Sequence, residues 1–249
     1  MFAAKNKKDT KIRTAILIVI AVLLAGIVIT EILIYRNIDK YKYQFYGEMT
    51  EDLQDSKLYS DMRSGKSFCF LGDSITIGAV TGLVPWYHHI ELEITGEVSN
   101  FSNNGWSSKT LKERADEIPV ADVYVVAIGI NDVVFVKEDK GALTPEEYVE
   151  NLQAMTDNIR SRSPEAKFYF VAPWPFLKQP EDIEELRDDF AAELDKWCDE
   201  QGMEFIDPEG PIEAAFDEDS PKTYMADYLH PNAKKGIGLY SYAVLKEAE

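Results

Sequence analysis

Ser74 is the first residue in this sequence whose type and position are suited to chemistry. It follows the apolar run at residues 67–71 and the pair Gly72-Asp73. A short apolar run that ends at glycine is typical of a buried strand, and in open α/β sheets ligands bind beyond the carboxyl ends of the strands. The pattern therefore predicts a nucleophilic hydroxyl at Ser74. An Asp-Ser pair after glycine is also typical of an ordinary helix N-cap, so the hypothesis needs partners elsewhere in the chain.

A base and a carboxylate stand near the other end of the chain. Asp227 precedes His230 by three positions, and residues three apart face the same way in a helix or turn. A serine hydroxyl is a weak nucleophile that needs an adjacent base. Asp227 can hold the Nδ1 proton of His230 so that Nε2 faces Ser74. The pair predicts the remainder of an acyl-transfer triad, and the alternative is a capping arrangement before the last helix.

Two more loops contribute candidate donors for the oxyanion of a tetrahedral intermediate. Gly105 lies in a loop rich in Asn and Gly, and Asn131 follows an apolar run that ends at Gly129. The candidate donors are the Ser74 amide, the Gly105 amide and the side-chain amide of Asn131. Each residue alone is explained as well by turn chemistry. Together, in this chain order and each at a predicted strand end or loop, they favour acyl transfer.

The elements that must position these groups alternate between strands and helices. Apolar runs predict strands at 67–71, 98–101, 122–128, 167–172 and 203–206. Apolar residues at helical spacing predict helices at 145–162 and 181–200, and a last helix ends near residue 248. Apolar strands without alternation imply a parallel sheet covered on both faces, so the fold class predicted is α/β.

The N-terminal part of the chain has the composition of a membrane anchor. Residues 15–34 are almost entirely apolar, and five Lys or Arg residues against one acid precede residue 14. As a helix this run would extend about 30 Å, the thickness of the hydrocarbon core. The predicted organisation is a cytoplasmic tail at 1–13, a transmembrane anchor at 14–35, a juxtamembrane stalk at 36–64 and a hydrolase domain at 65–249 outside the cytoplasm. A cleaved signal peptide is the competing interpretation.

Charge and cysteine content exclude several classes of function. The formal net charge of −18 repels nucleic acid and anionic lipid headgroups, so no nucleic-acid partner is predicted. Cys69 and Cys198 are too few for a disulfide framework and are predicted to be buried free thiols. Neither cysteine has the spacing to histidine that a metal site requires, and His88 and His89 have no partner motif.

In four blocks the sequence resembles the GDSL-type or SGNH hydrolases. Residues 72–76 resemble the first block, with Ile75 where many members have Leu. Gly105 fits the second, residues 129–132 the third, and residues 227–230 the last. The resemblance implies a three-layer α/β/α, flavodoxin-like sandwich with a mostly parallel five-stranded sheet, a triad of Ser74, Asp227 and His230, and no metal or organic cofactor. Thr76 separates the chain from α/β-hydrolases, whose nucleophile motif would need glycine there.

These observations predict a membrane-anchored serine esterase that removes small acyl groups, acetyl foremost, from a carbohydrate or another cell-surface ester. Trp106 and Trp174 lie near the predicted site and are candidates to stack on sugar rings, with core packing as the alternative. Two other functions stay open at this point. An O-acyltransferase would use the same triad with a sugar hydroxyl in place of water, and a catalytically idle surface scaffold would keep the fold alone.

Overall fold

A computed structural model describes residues 16–30, 43–134, 136, 141–142, 144–177 and 181–248. The chain divides into two compact units, residues 1–42 and 43–249. In the first unit, residues 16–30 form a helix, α1. The predicted tail and the remaining positions of the predicted anchor lie outside the described residues. Within the described ranges, no helix combines the length and apolarity that a membrane crossing requires.

Five parallel strands form one sheet in the second unit. They are β1 (Phe68–Gly72), β2 (Val98–Ser102), β3 (Val123–Ala127), β4 (Lys167–Val171) and β5 (Glu204–Ile206). Their order across the sheet is β2-β1-β3-β4-β5, and every neighbouring pair is parallel. The predicted α/β class is confirmed, and the sheet is parallel throughout rather than mostly. Because the strands are parallel, the loops after β1, β2 and β3 meet at one edge.

Helices connect the strands and cover the sheet. They are α2 (Glu51–Gln54), α3 (Lys57–Met62), α4 (Ser74–Ile77), α5 (His88–Glu91), α6 (Ser108–Glu113), α7 (Ile130–Val134), α8 (Pro145–Arg162), α9 (Glu181–Gln201), α10 (Glu209–Glu218) and α11 (Gly236–Glu247), with 3-10 turns at Ala115–Glu117 and Pro221–Thr223. At the start of α8, the Thr144 side chain accepts a hydrogen bond from the Glu147 amide, and Pro145 takes the first helical position. These are the residue types that begin helices.

The sheet has a hydrophobic core on each face. Phe68 and Phe70 of β1 point into one core and Cys69 and Leu71 into the other, because successive side chains of a strand face opposite sides. All five residues of β1 are buried, which is why its sequence is apolar without alternation. Cys69 and Cys198 are both buried free thiols.

Part of the predicted stalk packs into the domain. Leu53, Leu58 and Met62 are fully buried in one of the two cores. Asp61 accepts a hydrogen bond of 2.8 Å from the Tyr169 hydroxyl on β4. The predicted boundary at residue 65 therefore falls inside the compact unit, and residues 36–42 lie outside the described residues.

Candidate active site

The turn that carries Ser74 is fixed by the two residues before it. A Cβ atom on Gly72 would lie 2.6 Å from the Ala127 carbonyl oxygen on β3, so only glycine lets the chain leave the sheet at this point. Asp73 is the N-cap of α4, and its Oδ1 accepts a hydrogen bond of 2.9 Å from the Ile75 amide. Ser74 is the first residue of α4 and is 9% exposed. Its hydroxyl therefore lies just beyond the carboxyl end of β1.

A tight turn between residues 225 and 231 presents the base. The Ala226 amide donates to the His230 carbonyl at 2.9 Å. Asp227 Oδ1 accepts hydrogen bonds from the amides of Leu229 and His230 at 2.8 and 2.7 Å. These bonds to the main chain hold the carboxylate in place independently of the imidazole. A carboxylate that accepts backbone hydrogen bonds is stabilised in its charged form.

The structure brings Ser74, His230 and Asp227 together, as the sequence predicted. His230 Nε2 lies 2.9 Å from Ser74 Oγ, and Nδ1 lies 3.0 Å from Asp227 Oδ2. Burial acts to raise the pKa of Asp227, but the amides of His230 and Leu229 and the His230 ring outweigh it, and the net pKa is lowered. An ionised carboxylate on one ring nitrogen and a hydroxyl on the other is the geometry that activates a serine.

Two predicted oxyanion donors, Gly105 and Asn131, lie on segments that contact each other. Asn131 is 4% exposed on α7, and its Nδ2 donates a hydrogen bond of 2.8 Å to the Trp106 carbonyl. Trp106 directly follows Gly105, which is exposed and has a left-handed φ of +69°. This bond fixes the orientation of the Asn131 amide against the Gly105 loop. The third predicted donor, the Ser74 amide, belongs to the first turn of α4, where N–H groups have no partner within the helix.

Asp132 is a residue of the site region to which the sequence analysis assigned no role. It is fully buried and accepts hydrogen bonds from the Ser108 amide and hydroxyl at 3.0 and 2.6 Å and from the Ala142 amide at 2.8 Å. Burial raises the pKa of Asp132, although these hydrogen bonds oppose the shift. The carboxyl group thereby ties α7, which carries Asn131, to the start of α6, which follows Gly105. Its place beside Asn131 was visible in the sequence, but its partner Ser108 was not.

The two tryptophans differ in what they can contact. Trp174 is 1% exposed and stacks on Tyr240 with 4.6 Å between ring centroids, so it packs in the core and offers no face to a sugar. Trp106 is half-buried, and the Arg114 guanidinium lies over its ring at 4.6 Å. Core packing is therefore the correct interpretation for Trp174, and a cation covers a face of Trp106.

Within the described part of the chain, no group of three or more His, Cys, Asp or Glu side chains is arranged to hold a metal ion.

We expect Asp73→Asn to weaken the pH dependence of stability. Asp73 is fully buried, and its Oδ2 has no hydrogen-bond partner among the described residues. Burial raises the pKa of Asp73 to about 7, against about 3.9 for an unfolded aspartate. The folded state therefore binds this proton more tightly, and the free energy of unfolding should fall as the pH rises between these values. Asparagine cannot titrate, so thermal unfolding midpoints between pH 4.5 and 7.5 should fall less steeply in the variant.

Some of the slope should remain in Asp73→Asn, because the pKa of Glu209 is also raised by burial, to about 7, and that of Asp132 is raised too. Asp217→Asn, at an exposed position of α10, is the matched control and should leave the slope unchanged. An Asp73→Asn profile parallel to that of the wild type would contradict the assignment of a shifted proton to Asp73.

A comparison with family models places the chain among known proteins. Residues 70–234 match the model of the GDSL-like Lipase/Acylhydrolase family. The chain belongs to this family. The matched range contains Ser74, Gly105, Asn131, Asp227 and His230. The match confirms the predicted ester hydrolase at the level of the family. No curated protein sequence matches the chain.

Solved structures share the fold of this GDSL-like protein at low sequence identity. A catalytic mutant of Axe2, an acetylxylan esterase from Geobacillus stearothermophilus, is 20% identical with a TM-score of 0.63, and the alignment covers 76% of this chain and 96% of that one. A putative GDSL-like lipase from Parabacteroides merdae is 18% identical with a TM-score of 0.64, and the alignment covers 75% of this chain and 97% of that one. LAE5, an α/β hydrolase from the metagenome of Lake Arreo, is 21% identical with a TM-score of 0.61, and the alignment covers 74% of this chain and 95% of that one. At these identities the likeness establishes a common fold.

Proposed function

We propose that this protein is a serine esterase in which Ser74 is the nucleophile, His230 the general base and acid, and Asp227 the group that orients His230. The observation that carries the proposal is the continuous chain of contacts, 2.9 Å from Ser74 Oγ to His230 Nε2 and 3.0 Å from Nδ1 to Asp227 Oδ2. Each of these distances is within hydrogen-bonding range.

The reaction follows from this arrangement. Nε2 takes the proton of Ser74 Oγ as the oxygen attacks the ester carbonyl, and the negative charge develops on the carbonyl oxygen. The amides of Ser74 and Gly105 and the side chain of Asn131 are the donors proposed for that oxygen. When the C–O bond to the alcohol breaks, His230 gives its proton to the leaving oxygen. Water then attacks the acyl-enzyme by the same proton transfers, and Ser74 is released.

The substrate proposed is a small acyl ester, acetyl foremost, of a carbohydrate or another cell-surface molecule. The acetylxylan esterase Axe2 has the same fold, and three of its structures are described as catalytic mutants in which a serine, an aspartate or a histidine is replaced by alanine. These are the three residue types that meet in this chain. The proposed reaction needs no metal or organic cofactor.

Attachment to a membrane through the N-terminal segment, with the hydrolase domain outside the cytoplasm, is proposed as well. The apolar residues 15–34 and the basic residues before them support it. In the described helix α1, large apolar side chains such as Leu17 and Val22 are both 65% exposed. Membrane fractionation of cells that express the full chain, followed by alkaline carbonate extraction, tests the attachment. Recovery of the full-length protein in the carbonate-soluble fraction would contradict it.

Covalent labelling tests the proposed nucleophile. A fluorophosphonate probe should label the wild-type protein and should not label Ser74→Ala. Ser161→Ala, at an exposed serine of α8, is the matched control and should be labelled like the wild type. Labelling that persists in Ser74→Ala would contradict the assignment, and the absence of labelling in the wild type would favour an idle scaffold.

Product analysis separates hydrolysis from acyl transfer to a second sugar. With an acetylated sugar as donor, an esterase should release acetate at a rate that does not depend on an added sugar acceptor. A transferase would form a new acetylated sugar, and acetate release would fall as the acceptor concentration rises.

A further inference from the structure

A groove of about 610 Å³ opens beside the turn that carries His230. Its lining is mainly apolar and includes Leu177, Pro221, Met225 and Tyr228, while Asp227 also contributes to it. The groove therefore shares a wall with the proposed triad. A hydrogen bond links two of the segments that line the groove: the Leu177 amide donates to the Tyr228 carbonyl at 2.9 Å.

The position of the groove indicates which part of an ester it receives. His230 must return its proton to the leaving oxygen, so the alcohol has to lie within hydrogen-bonding reach of Nε2. Asp227 and Tyr228 belong to the same turn as His230. On the other flank, Gly105 follows β2, whereas Leu177 follows β4. Since β1 and β3 separate β2 from β4 in the sheet, the groove lies on the side away from Gly105, next to the base.

Tyr228 gives this groove an exposed aromatic ring. Its side chain is 54% exposed, although its carbonyl is held by Leu177. Of the aromatic residues considered for sugar stacking, Trp174 is buried and Trp106 lies under Arg114, whereas Tyr228 is open to solvent. A tyrosine ring buries a large area at low entropic cost and keeps a polar end.

The charges around the groove favour a neutral ligand. Lys222 and Asp227, which carry opposite charges, both line it. The chain as a whole carries a formal charge of −18, which disfavours anionic alcohols. Ser220 and Lys222 add polar groups that can bond hydroxyls. An apolar lining that also contains polar groups matches a sugar ring, which has C–H faces and hydroxyl edges.

We infer that this groove binds the alcohol part of the substrate as a neutral sugar ring whose C–H face packs on Tyr228. The inference rests on the proposed esterase function, because it assumes that His230 protonates the leaving oxygen. Tyr228 is then a specificity-determining residue for the alcohol and takes no part in the bond changes at the carbonyl.

Two acetyl esters that differ in the alcohol test the inference. The substrates are a methyl xyloside carrying one acetyl group and ethyl acetate, whose alcohol is too small to reach across the groove. Tyr228→Ala should raise KM for the acetylated xyloside about tenfold, the scale of one lost aromatic contact, and should change kcat less than twofold. Kinetics with ethyl acetate should be unchanged. Tyr228→Phe keeps the ring and should therefore have the wild-type KM for the xyloside.

The control variant is Val120→Ala, which shortens an apolar side chain that is 64% exposed. Val120 precedes β3 and therefore lies at the edge of the sheet opposite to the groove. It should behave as the wild type with both esters. An unchanged KM for the xyloside in Tyr228→Ala would overturn the inference, and so would equal losses with both esters, since these indicate a structural role. Wild-type turnover of ethyl acetate but not of the xyloside would overturn the sugar assignment and leave the esterase proposal standing. Failure of the wild type on both esters would overturn both.

Discussion

Replacing His230 by alanine is expected to lower kcat for ester hydrolysis by about 10⁴-fold to 10⁶-fold. The ring bridges Ser74 Oγ at 2.9 Å and Asp227 Oδ2 at 3.0 Å, so its loss removes both the acceptor for the serine proton and the donor for the leaving alcohol. Because these groups act as a unit, the double variant Ser74→Ala/His230→Ala should be no slower than the slower single variant. Initial rates with an acetyl ester at saturating concentration provide the measurement.

The matched control for this prediction is His88→Gln. His88 lies on α5, where its ring contacts Tyr43 at 5.4 Å between centroids, and it should be replaceable with no more than a small change in kcat. Circular dichroism should show that all variants keep the wild-type fold. If His230→Ala retained a tenth of the wild-type kcat in a folded protein, the proposed base would have to be sought elsewhere.

The sequence placed Ser74 and Asn131 at one edge of the sheet, because each residue stands where a strand ends. Apolar runs mark β1 and β3, and Ser74 and Asn131 follow those runs directly. In a parallel sheet the carboxyl ends of the strands share one edge, so chain positions far apart must meet there. The three-residue spacing of Asp227 and His230 was compatible with a helix cap as well as with a triad, and the structure adds the two amides that hold the carboxylate beside the ring.

The features that the sequence did not reveal depend on contacts between distant positions. Asp132 is held by Ser108 and Ala142, and no local pattern pairs an acid on α7 with the first residue of α6. Residues 43–64 are polar with helical spacing only in places, yet Leu53 and Leu58 are both fully buried in the core. Trp174 lies between two prolines after β4, and this local sequence is compatible with an exposed side chain as well as with a buried one. The burial of Trp174 and its stacking on Tyr240 decide between the two.

The second large effect is expected for Asn131→Ala, which should lower kcat about 10²-fold to 10³-fold. The Asn131 side chain is 4% exposed, and its orientation is set by the bond from Nδ2 to the Trp106 carbonyl. In a site shielded from water, a hydrogen bond to the developing oxyanion is stronger than the same bond in water. It forms mainly in the transition state. The loss should therefore appear in kcat, with KM for an acetyl ester changed little.

Asn158→Ala supplies the matched control for Asn131, since it removes an amide on α8 that bonds Asp116 at 2.7 Å and that has no part in the proposed site. It should leave kcat unchanged.

Asp132→Asn helps to separate the orientation of the Asn131 loop from hydrogen-bond donation by Asn131. The amide oxygen of the variant can still accept from the Ser108 hydroxyl and the Ala142 amide, but its NH2 group cannot accept the bond that the Ser108 amide donates to the second carboxylate oxygen. If the loss in Asn131→Ala came from a displaced loop, Asp132→Asn should reproduce it and slow labelling of Ser74 as well. If Asn131 donates to the oxyanion, its removal should cost far more in kcat than Asp132→Asn does, and a loss confined to KM would contradict that role.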